Sequence, residues 1–211
     1  MRLYFARHGQ SEANVLRVIS NRGLVHPLTE LGREQAAQLA QTLLAVPISK
    51  IYSSPLLRAQ QTAEIVAAML KLPVEIADAL REPDCGIAEG RSDEAAWAEH
   101  HRAWTEWLDE QHYDYRIEGG ESFNDLRARF RPFIDRLLAE HGGTSDQLLL
   151  ISHGELLIMM LSVMLTNAGE VFAEPRSIPN TGTIVAERQA AGWVCVEWCR
   201  AAFQNGDRNR V

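Results

Sequence analysis

Two short apolar runs in this chain end in the same way. Residues 3–6 (Leu-Tyr-Phe-Ala) open into Arg7-His8-Gly9, and residues 148–151 (Leu-Leu-Leu-Ile) open into Ser152-His153-Gly154. Each reads as a buried strand running into a glycine-bearing loop. In an open α/β sheet, ligands bind beyond the carboxyl ends of the strands. A lone histidine there is most simply structural. Two in matching contexts place two imidazoles at one edge, beside exposed backbone amides. Arg7, at the end of a buried strand, needs an anionic partner, and its guanidinium fork fits carboxylate or phosphate. Arg58, near the start of a helix opened by Ser54-Pro55, reads by itself as a solvated helix residue.

The elements that must carry these groups alternate between strand and helix. Thr29 is placed as the N-cap of a helix whose stripe is Ala36, Leu39, Ala40, Leu43 and Leu44. Residues 51–53 read as a strand. Ser54-Pro55 then reads as cap and first helical position of a helix reaching residue 70, and residues 73–76 as a third strand. Further on come a helix at 126–138, a strand at 148–152, an apolar helix at 155–165, and a strand pair at 183–188 and 193–198. The expected fold is α/β: a three-layer sandwich with a mostly parallel central sheet and helices on both faces. One domain spans 1–211, with a mainly helical insertion at about 84–121 beside the ligand edge. The tail after residue 201 is polar and expected to be loose.

Composition sets bounds on function. The 211 residues are 46% hydrophobic and 23% charged, an ordinary globular balance. With 21 basic and 28 acidic residues the formal charge is −7, which argues against a nucleic-acid partner. An anionic substrate must then be drawn by a local cluster of cations. Cys85, Cys195 and Cys199 form no CxxC pair and read as thiols of a reducing compartment; Cys195 and Cys199 are expected on one face of a strand. No run reaches the ~20 apolar residues of a membrane span, and the opening apolar stretch is too short for a signal peptide. The expectation is a cytoplasmic protein, monomer or homodimer, with no membrane partner.

These motifs together resemble the histidine phosphatases, the phosphoglycerate-mutase-like superfamily. The resemblance rests on six blocks in the family's order: Arg7-His8-Gly9-Gln10-Ser11 with Asn14; Pro27-Leu28-Thr29; Ser54-Pro55-Leu56-Leu57-Arg58 with Thr62-Ala63; Leu80-Arg81-Glu82-Pro83; Gly119-Gly120-Glu121-Ser122; and Ser152-His153-Gly154. They span roughly residues 2–190. The resemblance implies that His8 is a nucleophile forming a phosphohistidine. It implies that Arg7, Arg58 and His153 clamp the phosphoryl oxygens, and that Glu82 is the general acid and then base. Ser11 and Asn14 would be auxiliary phosphate donors, and Gly9 and Gly154 would let the phosphate approach closely. No metal or other cofactor is implied. Arg22 is open between a fourth cation at the mouth and a solvated loop residue, and Glu155 has no assigned role.

The insertion separates branches of the family. The resemblance implies that the mutases hold their doubly anionic substrates with paired arginines and prolines there. Residues 86–118 carry only the scattered Arg91, Arg102 and Arg116, no proline, and Trp97, Trp104 and Trp107. A phosphomonoester hydrolase acting on a small phosphorylated metabolite is therefore expected ahead of mutase-type transfer. Two rivals remain: a non-catalytic phospho-ligand module, and a metallohydrolase using His8, His153 and Glu82, which Arg7 and Arg58 disfavour by placing positive charge where a dication would sit. Trp97, His101, Trp104 and Leu108 fall at helical spacing and are expected to form the packed face of the insertion. A metal shared by His100, His101 and His112 is disfavoured, because adjacent helix positions point about 100° apart.

Overall fold

The computed structural model describes residues 1–171 and 177–200. Six strands, β1 (Arg2–Arg7), β2 (Ile48–Ser53), β3 (Val74–Ile76), β4 (Gln147–Ser152), β5 (Thr183–Gln189) and β6 (Gly192–Arg200), form one sheet in the order β3-β2-β4-β1-β5-β6. The four strands from β3 to β1 are mutually parallel; β5 and β6 extend the sheet antiparallel. The helices are α1 (Glu12–Leu16), α2 (Glu30–Leu43), α3 (Leu57–Leu70), α4 (Glu94–Leu108), α5 (Phe123–His141), α6 (Gly154–Met164) and α7 (Ala168–Val171).

Alternation along the strands builds the two outer layers. Leu3, Phe5, Leu148, Leu150 and Ile184 face one side and pack with α4, α5 and α6. Tyr4, Ala6, Leu149, Ile151 and Val185 face the other and pack with α2 and α3. Both faces of β4 are buried, which is why its sequence reads as a continuous apolar run. This is the sandwich expected from the sequence.

Of the two helix caps expected, one is corrected and one is met. Ser54 does not cap α3: its Oγ accepts from the Leu56 amide at 3.3 Å, shaping a turn, and the helix begins at Leu57 with Leu56 as N-cap. Thr29 does cap α2, accepting from the Gly32 amide at 3.0 Å. The segment at 84–121 holds one α-helix, α4, and one short 3₁₀ turn at Gly86–Ala88; the rest is irregular.

The buried face of α4 is Ala96, His100, Ala103 and Trp107, one step round the helix from the face expected. The two alanines let α4 approach closely, and the Trp107 indole donates to the Tyr115 carbonyl at 2.8 Å. Trp97 lies at the margin, donating to the Arg17 carbonyl at 3.0 Å, and Leu108 is exposed. The tail after residue 201 lies outside the described residues.

Candidate active site

β1 and β4 are neighbours, and Arg7 pairs in register with Ser152. The two His-Gly turns therefore leave the sheet side by side. The His8 amide continues the ladder onto the Ser152 carbonyl at 3.0 Å, and the His8 and His153 ring centroids are 5.0 Å apart. His8 is almost wholly buried. Its Nδ1 lies 2.6 Å from the Gly9 carbonyl, and Arg58 Nε donates to its Nε2 at 3.1 Å. An arginine can only donate, so Nδ1 carries the hydrogen and Nε2 presents a lone pair. Burial, with Arg58 and Arg7 close by, holds the imidazole well below its usual pKa, so it stays neutral.

His153 is the residue before α6 and is fully buried. Its Nε2 meets Ser54 Oγ at 2.7 Å. With the Ser54 hydroxyl donating to His153 Nε2, the ring hydrogen sits on Nδ1. Burial, again with Arg58 nearby, keeps this ring neutral too. His153 Nδ1 and Arg7 Nε are buried and have no hydrogen-bond partner among the described residues. In that tautomer both are buried donors without acceptors, and beside a neutral imidazole they make a seat for an oxyanion. Arg7 is anchored by Nη1 to the Ile178 carbonyl at 2.7 Å. Arg58 is anchored by Nη1 to the Ser20 carbonyl at 2.6 Å and by Nη2 to Asn21 Oδ1 at 3.2 Å.

Glu82 is buried at the same edge, against the N-terminus of α6. It accepts from the Glu155 amide at 3.2 Å and the Leu156 amide at 2.9 Å. Those donors favour the carboxylate, but burial and the nearby Glu155 carboxylate outweigh them and push Glu82 up to about 7. It can hold a proton near neutrality. Asp84 cannot: Arg22 clasps it with bonds of 2.8 and 2.7 Å, and the Gly86 amide donates at 2.8 Å, which together outweigh partial burial and hold it below its usual range. Arg22 is thus matched by Asp84 and adds no net cation to the mouth.

Other expectations shift. Ser11 is fully buried, and both its amide and its hydroxyl donate to Asn14 Oδ1, at 3.0 and 3.1 Å. In this arrangement the Ser11 hydroxyl hydrogen is directed to Asn14, and Asn14 keeps its amide Nδ2 as a donor. Gly9 is glycine because a Cβ there would lie 2.4 Å from the Gly32 carbonyl oxygen. At Gly154 a Cβ would only graze the Arg7 guanidinium, with its nearest contact at 3.5 Å.

Several functional neighbours escaped the sequence reading. Asn180 donates to the His8 carbonyl at 3.0 Å. Arg129 holds the segment before Glu82 through the carbonyls of Ala79 and Arg81, at 2.9 and 2.7 Å, and pairs with Glu121, whose Oε2 accepts from the Asp84 amide at 2.9 Å. Glu82 is therefore clamped on both sides. Glu121 lies in the quoted Gly-Gly-Glu-Ser block, which was the available signal; Arg129 and Asn180 had none. His100 Nε2 lies 3.0 Å from Glu155 Oε2. Among the described residues no three His, Cys, Asp or Glu side chains are gathered as metal ligands.

Known proteins place this arrangement. A relative from Proteus mirabilis named "Probable phosphoglycerate mutase GpmB" is 34% identical over 94% of this chain and 90% of its own length. The structure of a mycobacterial glucosyl-3-phosphoglycerate phosphatase in complex with VO3 superposes with a TM-score of 0.79 at 27% identity, over 94% of this chain and 98% of that one. A putative alpha-ribazole-5'-P phosphatase from Escherichia coli does so with a TM-score of 0.78 at 25% identity, over 98% and 99%. The family described as histidine phosphatase superfamily (branch 1) matches residues 3–201, and the chain belongs to it.

Proposed function

We propose that the protein hydrolyses phosphomonoesters of small phosphorylated metabolites through a phosphohistidine on His8. The observation that carries this reading is the seat itself: the neutral His8 Nε2 beside the buried, unpartnered donors Arg7 Nε and His153 Nδ1. Arg58 Nε transfers its hydrogen bond from His8 to a phosphoryl oxygen as substrate enters. His8 Nε2 then forms a bond to phosphorus while the ester P–O bond breaks, and the Glu82 proton passes to the departing oxygen. The Glu82 carboxylate next takes a proton from water, whose oxygen attacks phosphorus. Inorganic phosphate leaves and the neutral imidazole returns. Arg7, Arg58 and His153 hold the charge on the equatorial oxygens throughout.

Hydrolysis is favoured over transfer because the cations of the insertion are already engaged. Arg91 is bound to Asp93, Arg116 to Asp125, and Arg102 stacks on Tyr115 near Glu106. None supplies a second clamp for a doubly anionic substrate. The name of the Proteus relative supports mutase-type transfer as the second reading. The proposed enzyme is cytoplasmic and works without a metal, so turnover should persist in excess chelator.

Rapid quench after mixing with a phosphomonoester tests the reading. Phosphate should be trapped on His8 as an acid-labile, base-stable phosphoramidate, and His8→Ala should lose both label and turnover. Label on serine, or an active His8→Ala, ends it. If 3-phosphoglycerate is converted to 2-phosphoglycerate much faster than it releases phosphate, the mutase reading replaces hydrolysis.

A further inference from the structure

Glu82 has a second carboxylate beside it. Glu155 is the second residue of α6, and its amide is one of the two that hold Glu82. Its side chain reaches the buried His100 of α4, with Oε2 3.0 Å from Nε2. The contact is walled by Cys85, Ala103, Trp104, Trp107 and Ile117, apolar surroundings in which charges act strongly on one another; Asp84 and Glu121 also border it, each engaged by an arginine, Arg22 and Arg129. Glu82, held by the Glu155 amide, also feels the Glu155 carboxylate, so the two carboxyls titrate as a unit with one proton to place between them.

The surrounding charges decide where the proton goes. Arg58 of α3 faces Glu82, while Arg7 of β1 acts on both carboxyls. Glu155 has His100 in addition, and Glu89 and the Cys85 thiol lie within reach of the group from the 3₁₀ turn. Burial opposes a charge on His100, but the adjacent Glu155 more than offsets it and raises the imidazole above its usual range. Burial likewise opposes the Glu155 carboxylate, and His100 reverses that balance.

We propose that Glu155 and His100 are positioning residues that fix the proton on Glu82: His100 holds Glu155 ionised, and the Glu155 carboxylate keeps the Glu82 carboxyl protonated until the leaving oxygen takes that proton. The role given to Glu82 rests on the hydrolase reading above, but the placement of the proton can be measured without turnover.

The experiment is a pH titration of side-chain carboxyl carbons in the full-length protein labelled with [¹³C]glutamate, with Glu82→Gln and Glu155→Gln supplying the assignments. In wild type, Glu82 should be about half protonated at pH 7 while Glu155 is ionised. In Glu155→Gln the Glu82 midpoint should fall by about one pH unit, a roughly fivefold loss of the protonated form at pH 7. In His100→Gln, Glu155 should take up a share of the proton and its midpoint should rise. The alkaline limb of kcat/KM for an alkyl phosphate should move down in Glu155→Gln with the Glu82 midpoint. An unmoved Glu82 midpoint in Glu155→Gln, or an unmoved Glu155 midpoint in His100→Gln, overturns the proposal. If Glu155→Gln does not fold, His100→Gln decides alone. A wild type that titrates as expected but cleaves no phosphomonoester overturns the hydrolase reading and leaves this proton placement standing.

Discussion

Arg58 Nε points at His8 Nε2 across 3.1 Å, so a cation is aimed at the same lone pair that the proposed chemistry uses. The contact does two things. It orients the ring with Nδ1 on the Gly9 carbonyl, and it opposes protonation of the nucleophile.

Replacing Arg58 should therefore change both rate and titration. Arg58→Ala should lower kcat by on the order of 10²–10³-fold, as for loss of one donor to a transition-state oxyanion. It should also raise the His8 pKa, seen as an imidazole resonance moving toward its ordinary midpoint. Arg58→Lys should restore little, because one ammonium cannot reach the Ser20 carbonyl, Asn21 and His8 together. Full activity in Arg58→Lys would show that charge alone suffices.

The proton donor can be assigned by leaving group. Glu82→Gln should slow alkyl phosphates by on the order of 10²–10⁴-fold but spare p-nitrophenyl phosphate, whose phenolate needs little protonation. Asp84→Asn should leave the dependence on leaving-group pKa near wild type, since Asp84 is an ionised partner of Arg22. A steep slope in Asp84→Asn alone would move the acid role there.

Glu82 should also imprint itself on stability. Its carboxyl titrates near 4.5 when unperturbed and at about 7 in the folded protein. Between those values the folded state holds a proton that the unfolded chain has released. The contribution of this group is thus complete below the lower value and is lost as pH rises to the upper one. His8 and His153 act oppositely, because both are held neutral when folded; their contribution is lost as pH falls through the unfolded histidine value. The unfolding free energy of Glu82→Gln minus that of wild type should therefore grow between about pH 4.5 and pH 8, by on the order of 2–3 kcal/mol. A difference flat with pH in urea titrations would contradict it.

The loop behind the nucleophile is set by glycine packing. A Cβ on Gly32 would lie 2.0 Å from the Gln10 carbonyl oxygen, so Gly32→Ala must displace the Gly9-Gln10 backbone. It should cost about 1–3 kcal/mol and lower kcat. Gly143, where a Cβ would meet nothing within 4 Å, is the control; Gly143→Ala should change stability by under about 0.5 kcal/mol. Equal effects in thermal melts would refute the packing argument.

The fold was legible because burial on both faces makes β1 and β4 continuous apolar runs, and because the helical stripe of α2 is regular. Arg7, His8 and His153 were legible for a related reason: charge or imidazole at the end of an apolar run is conspicuous. Long-range partners were not. Nothing local to Arg129, Asn180 or His100 says that each reaches a backbone or carboxylate tens of residues away. The face of α4 differs from the one expected because Trp97 and Trp104 outweigh Ala96 and Ala103 in any hydrophobic count, whereas close approach to the 3₁₀ turn at Gly86–Ala88 selects the alanines. Ser54 was read as a cap because Ser-Pro before a helix has that form, and the competing partner, His153, is 99 residues distant.

The antiparallel entry of β5 has a consequence for synthesis. Because β5 runs against β1, the loop that precedes it crosses the ligand edge, where Ile178 seats the Arg7 guanidinium and Asn180 holds the His8 carbonyl. A nascent chain released at residue 165 would already contain Arg7, His8, Arg58, Glu82 and His153. It would lack the seat for the first and the backbone tether for the second. The ribosome thus delivers the reactive imidazole among the first residues and its backbone tether among the last, so a truncated or still-growing polypeptide carries every reacting group but neither the seat for Arg7 nor the tether on the His8 carbonyl.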